Sequence, residues 1–573
     1  MGAASKREGG GTTGARRLRL IRQLLLVQAL VLLGPGPRFA LADDLAPLIA
    51  QSLSDPAPLT VGGTRLDVAV LRALYDPRAS APLWVTAPDA NARIDAVVAF
   101  LRQVDRDGLE PQSYRVSLIE ARRGSTEPLG RAELDMLLSE AVMRYGVHVR
   151  TGARRPRVQI PEIEPMVVDP DPIAIALDLA AAPPVEIASR MQRLTPQTAE
   201  YATMRDLLAR YREIAAGGGW PKVGELPKLS SGAVDPGVRR LRERLLATGE
   251  LASGAAPSSG QRDVYDPALE AAVKTFQKHH GLAPDGTVGS KTREALNVTA
   301  TERVGQIVAN LERLRWLPDD LGERHVWINI PEYRLRVEDR GTTTLEMPVI
   351  VGKPTWQTPM FSSEIRHLVF NPPWNVPPRI AREELIPRGL ADQSYFAAQG
   401  ISWRGGTRVA STGSGSGDAA GTVTPRRLRQ APGPKNPLGR VKFNMPNPFG
   451  VYLHDTPNKD KFRLTSRSLS HGCVRLGNAP ALAAALLGDM PEWGEERRKK
   501  ALSGWTTRNV NLQSPIPVHI VYATAWRDPD GAVQFREDIY DDDAALARDV
   551  ARPRTIGLPP VSAAPVAVAE TES

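Results

Sequence analysis

The hydrophobic periodicity of the chain changes part-way along it, and this change divides the fold into two kinds of structure. Between residues 45 and about 230, apolar residues recur at helical spacing, as Val97 and Leu101 do within one such segment. From residue 324 onward they alternate with period two, as Val326 and Ile328 do. The sequence therefore predicts an α+β chain of several domains, in which helical domains precede a mainly β domain.

Shifts in composition suggest where these parts begin and end. The predicted parts are a helical region over 45–230, a compact unit over 235–297, a linking helix within 298–324 and a β domain over 325–545. Glycine, serine and proline are enriched at 411–436, which predicts a flexible insertion. The Ala/Val/Pro tail over 550–573 is predicted to be disordered. The chain as a whole is not of that kind, because its 48 glycines and 50 prolines among 573 residues stay below the share typical of disordered proteins.

Residues 1–42 have the layout of a secretory signal peptide. Four arginines within 16–22 precede an apolar run over 24–33, and a small-residue Ala-Leu-Ala pattern ends at Ala42. An uncleaved N-terminal anchor is the alternative. Removal of these residues would take the net charge from +9 to +3, since they hold seven Lys or Arg and one Glu. The remaining charge forms no dense basic stripe, so no nucleic-acid partner is expected.

Cys473 is the one cysteine of the chain. This count excludes an intrachain disulfide and any zinc or iron–sulfur site that needs several cysteines. In an exported protein a lone thiol has no structural partner, although free cysteines also lie inertly in protein cores. The count alone leaves a functional and a structural role open.

Two short motifs bring a histidine and this cysteine into a pattern that fits nucleophilic catalysis. They are His454-Asp455, after the strand-like segment 450–453, and Ser470-His471-Gly472-Cys473-Val474-Arg475. A cysteine nucleophile needs a base that accepts its proton and N–H donors for the developing oxyanion. His454 is the candidate base, and the backbone amides of Gly472 and Cys473 are the candidate oxyanion donors. Arg475 is expected to favour the thiolate or to hold an acidic group.

A zinc site is the alternative of a different chemical class. His454, Asp455, His471 and Cys473 include the ligand types that zinc prefers. The H-E-x-x-H motif is absent, and a cysteine ligand is unusual in hydrolytic zinc sites. This alternative would make the protein a metallopeptidase or amidase, sensitive to chelators rather than to thiol alkylation.

The compact unit over 235–297 contains two amphipathic helices, a turn and a third, short helix. Its motif residues are Phe276, Gln277, Gly281, Leu282, Asp285, Gly286, Gly289 and Thr292. Their pattern resembles the peptidoglycan-binding domain type 1 family, which implies a module that faces the cell wall. A generic three-helix module that has lost binding is the alternative, since the same glycines serve the turn whether or not a ligand binds.

The catalytic motifs resemble those of the L,D-transpeptidase catalytic (YkuD-type) family. Ser470 lies sixteen positions after His454 and opens the Ser-His-Gly-Cys-x-Arg segment, as in the family signature. Four other segments resemble large Gram-negative members of the family, namely 370–378, 439–443, 451–457 and 533–540. Those members combine a mainly β catalytic domain with a helical scaffold domain and a small three-helix peptidoglycan-binding domain, which is the fold class expected here. The stretch 379–439, a substrate-capping subdomain in those relatives, departs from them by its Gly/Ser-rich segment.

The resemblance also implies roles for individual residues. Cys473 would be the nucleophile and His454 the base, while His471 would shape the catalytic loop or contact substrate and Ser470 would hydrogen-bond within the loop. The candidate substrate-binding residues are Tyr452, Trp374 and Asp455, although the two aromatic residues would also suit core packing. The remaining histidines are expected to be structural or exposed: His148, His279, His280, His325, His367 and His519.

The activity implied is a 3→3 cross-linking of peptidoglycan stem peptides in the periplasm. Cys473 would attack the L-centre carbonyl of the third residue of a donor tetrapeptide, release D-Ala and pass the acyl group to the amine of an acceptor stem. No cofactor and no metal is expected. Within the family the same acyl-enzyme would serve an L,D-carboxypeptidase, or an enzyme that attaches an outer-membrane protein to the wall. A non-catalytic wall-binding protein is the alternative outside it.

Overall fold

The computed structural model of the protein describes residues 45–154, 169–254, 261–404 and 427–552. The predicted signal peptide over 1–42 and most of the predicted disordered tail over 550–573 lie outside the described residues, as does 405–426 of the capping insertion. Within the described ranges, no helix is both long and apolar enough to cross a membrane. The described chain combines helical parts with a large sheet, so the predicted α+β multidomain class is confirmed.

The N-terminal part is helical apart from one short hairpin. The hairpin strands are β1 (Thr60–Val61) and β2 (Thr64–Arg65), and the helices are α1 (Leu45–Ser54), α2 (Val68–Tyr75), α3 (Ala90–Leu101), α4 (Val116–Arg122), α5 (Pro128–Thr151), α6 (Pro172–Ala181), α7 (Pro184–Arg193) and α8 (Ala199–Ala216). Helix α5 is buried along most of its length and lies at the centre of this part. Its buried Asp135 accepts backbone N–H groups from Leu83, Trp84 and Val85, at 2.7 to 3.0 Å. A carboxylate that satisfies three amides can be buried at a tolerable free-energy cost.

A small unit of three helices follows, with its own hydrophobic core. The helices are α9 (Gly237–Thr248), α10 (Pro267–His279) and α11 (Ser290–Asn297). Buried Gln277 organises the turn between α10 and α11, because its amide nitrogen donates to Asp285 Oδ1 at 2.9 Å and its oxygen accepts the Gly286 amide at 2.9 Å. Gly286 has φ +72°, a conformation that glycine adopts without strain. The motif residues of this unit therefore have a structural explanation within the turn.

The helix α12 (Ala300–Leu314) joins these parts to the sheet domain. Thr299 and Glu302 form a capping box at its start, which fixes the first turn. Its apolar residues Ile307 and Leu311 belong to the same core as the N-terminal helices. The predicted link is therefore not an exposed connection but a buried part of the scaffold.

The C-terminal half is built on a nine-stranded sheet and a separate three-stranded one. The strands between residues 324 and 521 are β3 (Arg324–Asn329), β4 (Arg334–Asp339), β5 (Thr342–Gly352), β6 (Phe361–Phe370), β7 (Trp374–Asn375), β8 (Ile401–Arg404), β9 (Arg427–Gln430), β10 (Val441–Asn444), β11 (Leu453–His454), β12 (Ser468–Ser470), β13 (Val474–Leu476) and β14 (Arg508–Val521). The large sheet has the order β12-β5-β13-β11-β10-β6-β14-β3-β4, and β4 also pairs with β5. That last pairing closes the sheet on itself, and the period-two apolar residues fill its interior.

The smaller sheet, of order β7-β9-β8, belongs to the capping region. Short helical segments accompany it, namely α13 (Pro378–Ile380), a π-helical turn (Ala381–Leu385), α14 (Ile386–Ala391) and α15 (Tyr395–Gln399). Val376, Leu385 and Leu428 contribute to a separate small core there. The described part of the predicted capping insertion is therefore a folded subdomain rather than an open loop.

The last elements return to the helical half. After α16 (Ala479–Leu486) and α17 (Glu495–Ser503), the chain forms β15 (Ala525–Arg527), β16 (Val533–Phe535) and α18 (Asp543–Val550). Ala525, Phe535 and Val550 are buried in the core of the N-terminal helices. Buried Arg313 of α12 forms an ion pair with Asp543, which also accepts the Thr524 hydroxyl at 2.6 Å. The catalytic sheet is thus connected to the scaffold by a second, C-terminal junction.

Candidate active site

Two parallel strands bring the cysteine and the candidate base together. In the register of β11 and β13, Leu453 lies beside Val474 and His454 beside Arg475. The Val474 amide donates to the Tyr452 carbonyl at 3.2 Å, which extends the pairing by one residue. Cys473 directly precedes β13, so it lies at the end of the strand next to the one that holds His454. Two motifs that are separate in the sequence therefore lie on adjacent interior strands of the sheet.

One hydrogen bond determines which nitrogen of the neutral His454 ring carries the proton. Its Nδ1 lies 2.5 Å from the backbone carbonyl oxygen of Asp455, and the residue is buried. A carbonyl oxygen only accepts, so Nδ1 carries the proton and Nε2 keeps its lone pair. Burial, followed by the charge of Arg475, lowers the pKa of His454 to about 3. The ring is therefore neutral at physiological pH and able to accept a proton.

The surroundings of Cys473 act on its thiol in opposite directions. Burial raises the pKa of the thiol, whereas the Tyr452 backbone and the positive charges of Lys442 and Arg475 lower it. Burial has the larger effect, so the pKa is raised overall and the resting group is a thiol. The expectation that Arg475 favours the thiolate is correct in sign, but desolvation outweighs that charge. Half-buried Arg475 has no hydrogen-bond partner for its Nε among the described residues.

The catalytic loop is held by Ser470. The Gly472 amide donates to Ser470 Oγ at 3.1 Å, and that hydroxyl donates to the Cys473 carbonyl at 2.6 Å. The prediction that the Gly472 amide is free for an oxyanion is therefore wrong, because the serine hydroxyl competes for the same donor. The Cys473 amide remains the candidate oxyanion donor of the loop.

His471 connects the loop to the capping subdomain. Its Nε2 lies 2.5 Å from Glu384 Oε1, in the π-helical turn of the cap. Its ring contacts Trp356 edge-on, with the ring centroids 4.9 Å apart. The guanidinium of Arg379, also in the cap, lies 3.7 Å from the centroid of the Trp356 ring. The cap therefore contacts the catalytic loop directly through Glu384 and His471, and also contacts Trp356, which packs on His471, through a cation–π interaction.

The candidate substrate-binding residues differ in whether their side chains are already engaged by other groups of the protein. Both Asp455 carboxylate oxygens are engaged, one by Lys459 Nζ at 2.6 Å and the other by the Arg440 amide at 2.8 Å. Asp455 is buried, so the structure gives it an internal role and the prediction of substrate contact is wrong. Half-buried Tyr452 lies beside His454, with ring centroids 5.6 Å apart. Trp374 packs against the core of the cap.

The four residues considered as zinc ligands do not form one site. His471 is paired with Glu384, and Asp455 with Lys459 and Arg440. Across the described ranges, no group of three or more His, Cys, Asp or Glu residues is placed to hold a metal ion. The geometry therefore favours the cysteine–histidine interpretation of the motif.

Three family models match the chain, and each covers a different part of it. The L,D-transpeptidase catalytic domain (YkuD) matches residues 323–491, the scaffold domain matches 69–208, and a "Putative peptidoglycan binding domain" matches 234–296. A "Putative L,D-transpeptidase" of Haemophilus influenzae is 36% identical over 242 residues, which are 42% of this chain and 48% of that protein. The chain carries an L,D-transpeptidase catalytic domain. It spans about half the length of this curated relative.

Solved structures similar to the chain include two more L,D-transpeptidases. One, from Xylanimonas cellulosilytica, is 17% identical, covers 52% of this chain and 100% of its own, and superposes with a TM-score of 0.18. The other, from Mycobacterium smegmatis, is 16% identical, with coverage of 35% and 58% and a TM-score of 0.16. At these TM-scores the superpositions support no statement about this chain.

Two residues outside the motif support the catalytic loop, Thr358 directly and Tyr540, which follows the matched segment 323–491, through its contacts with Thr358 and Gly352. Thr358 Oγ1 donates to the Gly472 carbonyl and accepts the Gly352 amide, both at 2.8 Å. The Tyr540 hydroxyl donates to the Gly352 carbonyl at 2.8 Å and accepts the Thr358 amide at 3.1 Å. Tyr540 ends one of the segments used for the family resemblance, whereas Thr358 has no signal in the sequence.

The contact between the cap and the loop gives a direct prediction for this L,D-transpeptidase domain. In Glu384→Gln the acceptor of the His471 contact loses its charge, and a charge-assisted hydrogen bond becomes a weaker one. We expect iodoacetamide to alkylate Cys473 about threefold to tenfold faster, which corresponds to about 1 kcal/mol. The rate can be followed by intact-protein mass spectrometry.

Asp392→Asn is the matched control, because the Asp392 carboxylate accepts from the Ser394 amide at 2.9 Å and from its hydroxyl at 2.7 Å within the cap itself. Equal alkylation rates in the wild type and Glu384→Gln would show that this contact does not limit access to the thiol.

Proposed function

We propose that the protein is a periplasmic L,D-transpeptidase that forms 3→3 peptidoglycan cross-links through a thioester on Cys473. The observation that supports this proposal is the parallel pairing of β11 with β13, in which Cys473 directly precedes the strand next to His454, whose Nδ1 is fixed by the Asp455 carbonyl. A half-buried thiol on the strand next to a neutral imidazole with a free Nε2 is suited to general-base activation of the nucleophile.

The first half-reaction begins from two neutral groups. The Cys473 sulfur attacks the L-centre carbonyl of the third residue of a donor tetrapeptide while the thiol proton passes to Nε2 of His454. The tetrahedral intermediate carries one negative charge on oxygen, which the Cys473 amide would stabilise by hydrogen bonding. As the C–N bond breaks, His454 returns the proton to the departing amine. D-Ala leaves, and the acyl group remains as a thioester.

The second half-reaction repeats these steps with a different nucleophile. The side-chain amine of a neighbouring stem attacks the thioester carbonyl and gives its proton to His454 Nε2. The C–S bond then breaks, the sulfur takes the proton back, and a new amide bond joins the two stems. Attack by water in place of the amine would give the L,D-carboxypeptidase reaction. An outer-membrane protein amine would give a covalent attachment to the wall.

Positive charge near the sulfur supports this sequence of events. Lys442 lies opposite His454 in the pairing of β10 with β11, and its Nζ is 3.9 Å from the centroid of the Tyr452 ring. The charges of Lys442 and Arg475 both lower the pKa of the Cys473 thiol. They would stabilise the sulfur while it carries negative charge, first as the thiol proton leaves and again as the C–S bond breaks. Tyr452, Trp374 and His471 are the proposed substrate contacts.

The test combines intact-protein mass spectrometry with analysis of muropeptide products. With donor tetrapeptide alone, the wild type should gain the mass of one acyl group on the peptide that contains Cys473. With an acceptor it should form a 3→3 dimer and release D-Ala. Cys473→Ala should lose product formation by about 10⁶-fold, as removal of a catalytic nucleophile does elsewhere.

As a control, Cys473→Ala should have the same circular dichroism spectrum and thermal midpoint as the wild type, which establishes that the variant is folded. A tripeptide without dimer would replace the cross-linking proposal with a carboxypeptidase. Equal product in the wild type and Cys473→Ala would overturn the thioester mechanism. Binding to sacculi without any product would instead support a non-catalytic wall-binding protein.

A further inference from the structure

A cavity of about 240 Å³ lies where four parts of the chain meet, away from Cys473. Its lining includes Arg210 and Trp220 from the end of the scaffold, Arg244 from the three-helix unit, Arg303 from α12 and Phe535 from β16. Arg210 is exposed at the rim, whereas Arg244 and Arg303 are buried. The cavity is therefore open to solvent on one side and has two guanidinium groups inside.

Arg244 is 1% exposed, yet no carboxylate of the described residues forms an ion pair with it. Its Nε donates to the Leu296 carbonyl at 2.9 Å and its Nη1 to Thr248 Oγ1 at 2.8 Å. The guanidinium also lies 4.4 Å from the centroid of the Trp220 ring. Burial lowers the pKa of Arg244 to about 10, so the group keeps its charge at neutral pH.

Arg303, which also lines the cavity, is likewise buried without a carboxylate partner among the described residues. It is 5% exposed, its Nη1 donates to Gln306 Oε1 at 2.6 Å, and its guanidinium lies 4.2 Å from the centroid of the Phe535 ring. Burial lowers its pKa to about 10, and the charge of Arg244 contributes in the same direction. Two buried like charges therefore face one cavity.

The carboxylates near Arg244 and Arg303 do not balance the positive charge of the cavity. Glu250 is the one carboxylate in the lining; its charge acts on Arg244, but it accepts the Thr248 hydroxyl and forms no ion pair with an arginine among the described residues. Glu302 and Asp543 act on Arg303 from outside the lining, but Glu302 accepts the Thr299 amide and Asp543 is paired with Arg313. Burial lowers the pKa of His280, so that ring adds no charge at neutral pH. Three arginines against one carboxylate leave an excess of two positive charges.

Other buried arginines of the chain do have carboxylate partners. Arg315 pairs with Glu312 at 2.7 Å and Arg242 with Asp266 at 2.5 Å. An unpaired buried charge is costly in free energy, whereas a paired one is tolerated. Arg244 and Arg303 therefore differ from these arginines in lacking a protein anion, and they lack it at a cavity that solvent can reach.

We propose that this cavity binds a small oxyanion, a carboxylate or a phosphate group, between the guanidinium groups of Arg244 and Arg303. Planar guanidinium groups bind both anions through parallel N–H donors. The bound anion would neutralise the excess charge and connect the three-helix unit to α12 and β16. Free inorganic phosphate and the carboxylate of a peptidoglycan stem peptide share this chemistry. The stem-peptide source rests on the proposed function, whereas the free-phosphate source does not.

The test measures the thermal midpoint of the full chain in sodium phosphate and in sodium chloride at equal ionic strength. Phosphate should raise the midpoint of the wild type with the logarithm of its concentration above Kd, by about 3 °C at a hundredfold excess over Kd. In Arg303→Gln the shift should vanish, and without phosphate the variant should be at least as stable as the wild type, because an unpaired buried charge is removed. Arg210→Gln, at the exposed rim, should bind phosphate about threefold to tenfold more weakly by calorimetry.

Arg239→Gln is the matched control, since Arg239 belongs to the same three-helix unit but forms an exposed pair with Asp263. It should keep the full phosphate response. The proposal would be overturned if chloride stabilised the wild type as much as phosphate does. An undiminished shift in Arg303→Gln together with unchanged affinity in Arg210→Gln would overturn it as well.

A competition experiment in the Cys473→Ala background distinguishes the two sources. If donor tetrapeptide weakens phosphate binding, and Arg303→Gln weakens the calorimetric binding of the tetrapeptide itself, a stem-peptide carboxylate occupies the cavity. If phosphate binds and the tetrapeptide does not compete, the site takes free phosphate. Neither result depends on cross-linking, which the muropeptide assay measures separately.

Discussion

Replacing His454 by glutamine should lower kcat/KM at pH 7 by about 10³-fold, the usual contribution of a general base. Glutamine preserves the approximate size of the ring and can donate to the Asp455 carbonyl, but it has no basic lone pair. Burial raises the pKa of the Cys473 thiol, so without a neighbouring base little thiolate forms at neutral pH. The sulfur of the variant would therefore react only through its small ionised fraction.

The pH profile distinguishes this explanation from a general loss of structure. Residual activity of His454→Gln should rise about tenfold per pH unit toward the pKa of the thiol, because each unit increases the thiolate fraction tenfold. The wild type should show no acid limb near pH 6.5, since burial lowers the pKa of its base to about 3. His325→Gln, outside the active site, is the control. A pH-independent loss of activity in His454→Gln would contradict the assignment of the base.

Acidification from pH 7 to pH 5 should reduce the free energy of unfolding, with about 6 kcal/mol of the loss coming from three buried histidines and a further part from His280, whose pKa burial also lowers. The three are His148, His454 and His519, each less than 5% exposed. Burial lowers their pKa values to about 3, 3 and 4, below the ordinary value of about 6.5. Between pH 7 and pH 5 the unfolded chain therefore binds protons at these histidines, whereas the folded chain keeps them neutral. The stabilisation is complete above pH 6.5 and is lost as the pH falls toward 4, by about 2 kcal/mol per histidine at pH 5.

Urea unfolding at pH 7, 6 and 5 measures this loss, and one substitution isolates its cause. His148→Gln should remove about 2 kcal/mol of this loss between pH 7 and pH 5, whereas His279→Gln, at a half-buried histidine, should leave it unchanged. Burial raises the pKa values of Asp135 and Asp543, which opposes the trend, but these carboxylates are common to all three proteins. A pH dependence identical in the wild type and His148→Gln would contradict the prediction.

The fold class followed from the sequence because hydrophobic periodicity is a local property. Helical spacing before residue 300 and alternation after 324 identified the two kinds of structure. The pairing of β4 with β5 that closes the sheet depends on contacts between whole strands, which a local pattern does not contain. The burial of α12 was missed for the same reason, since its apolar face alone does not say which part of the chain covers it.

The candidate site was predicted in its chemistry but not in its details. The spacing of His454 and the cysteine motif indicated the nucleophile and the base. The use of the Gly472 amide by Ser470 was not expected, because several local acceptors compete for one donor and the geometry decides among them. Thr358 and the arginine-lined cavity were missed because their roles arise only when distant segments meet.

The two ends of the described chain share one hydrophobic core. Leu45 at the start of α1 and Val550 at the end of α18 belong to the same buried cluster, together with Phe535. A polypeptide that emerges from its N-terminus first must therefore keep part of the scaffold core uncovered until its last elements are made. Long-range contacts of this kind slow folding and prolong the exposure of apolar surface. Cleavage after residue 491, where the matched catalytic segment ends, would leave the scaffold without its closing residues, so scaffold and catalytic parts must be made, and inherited, together.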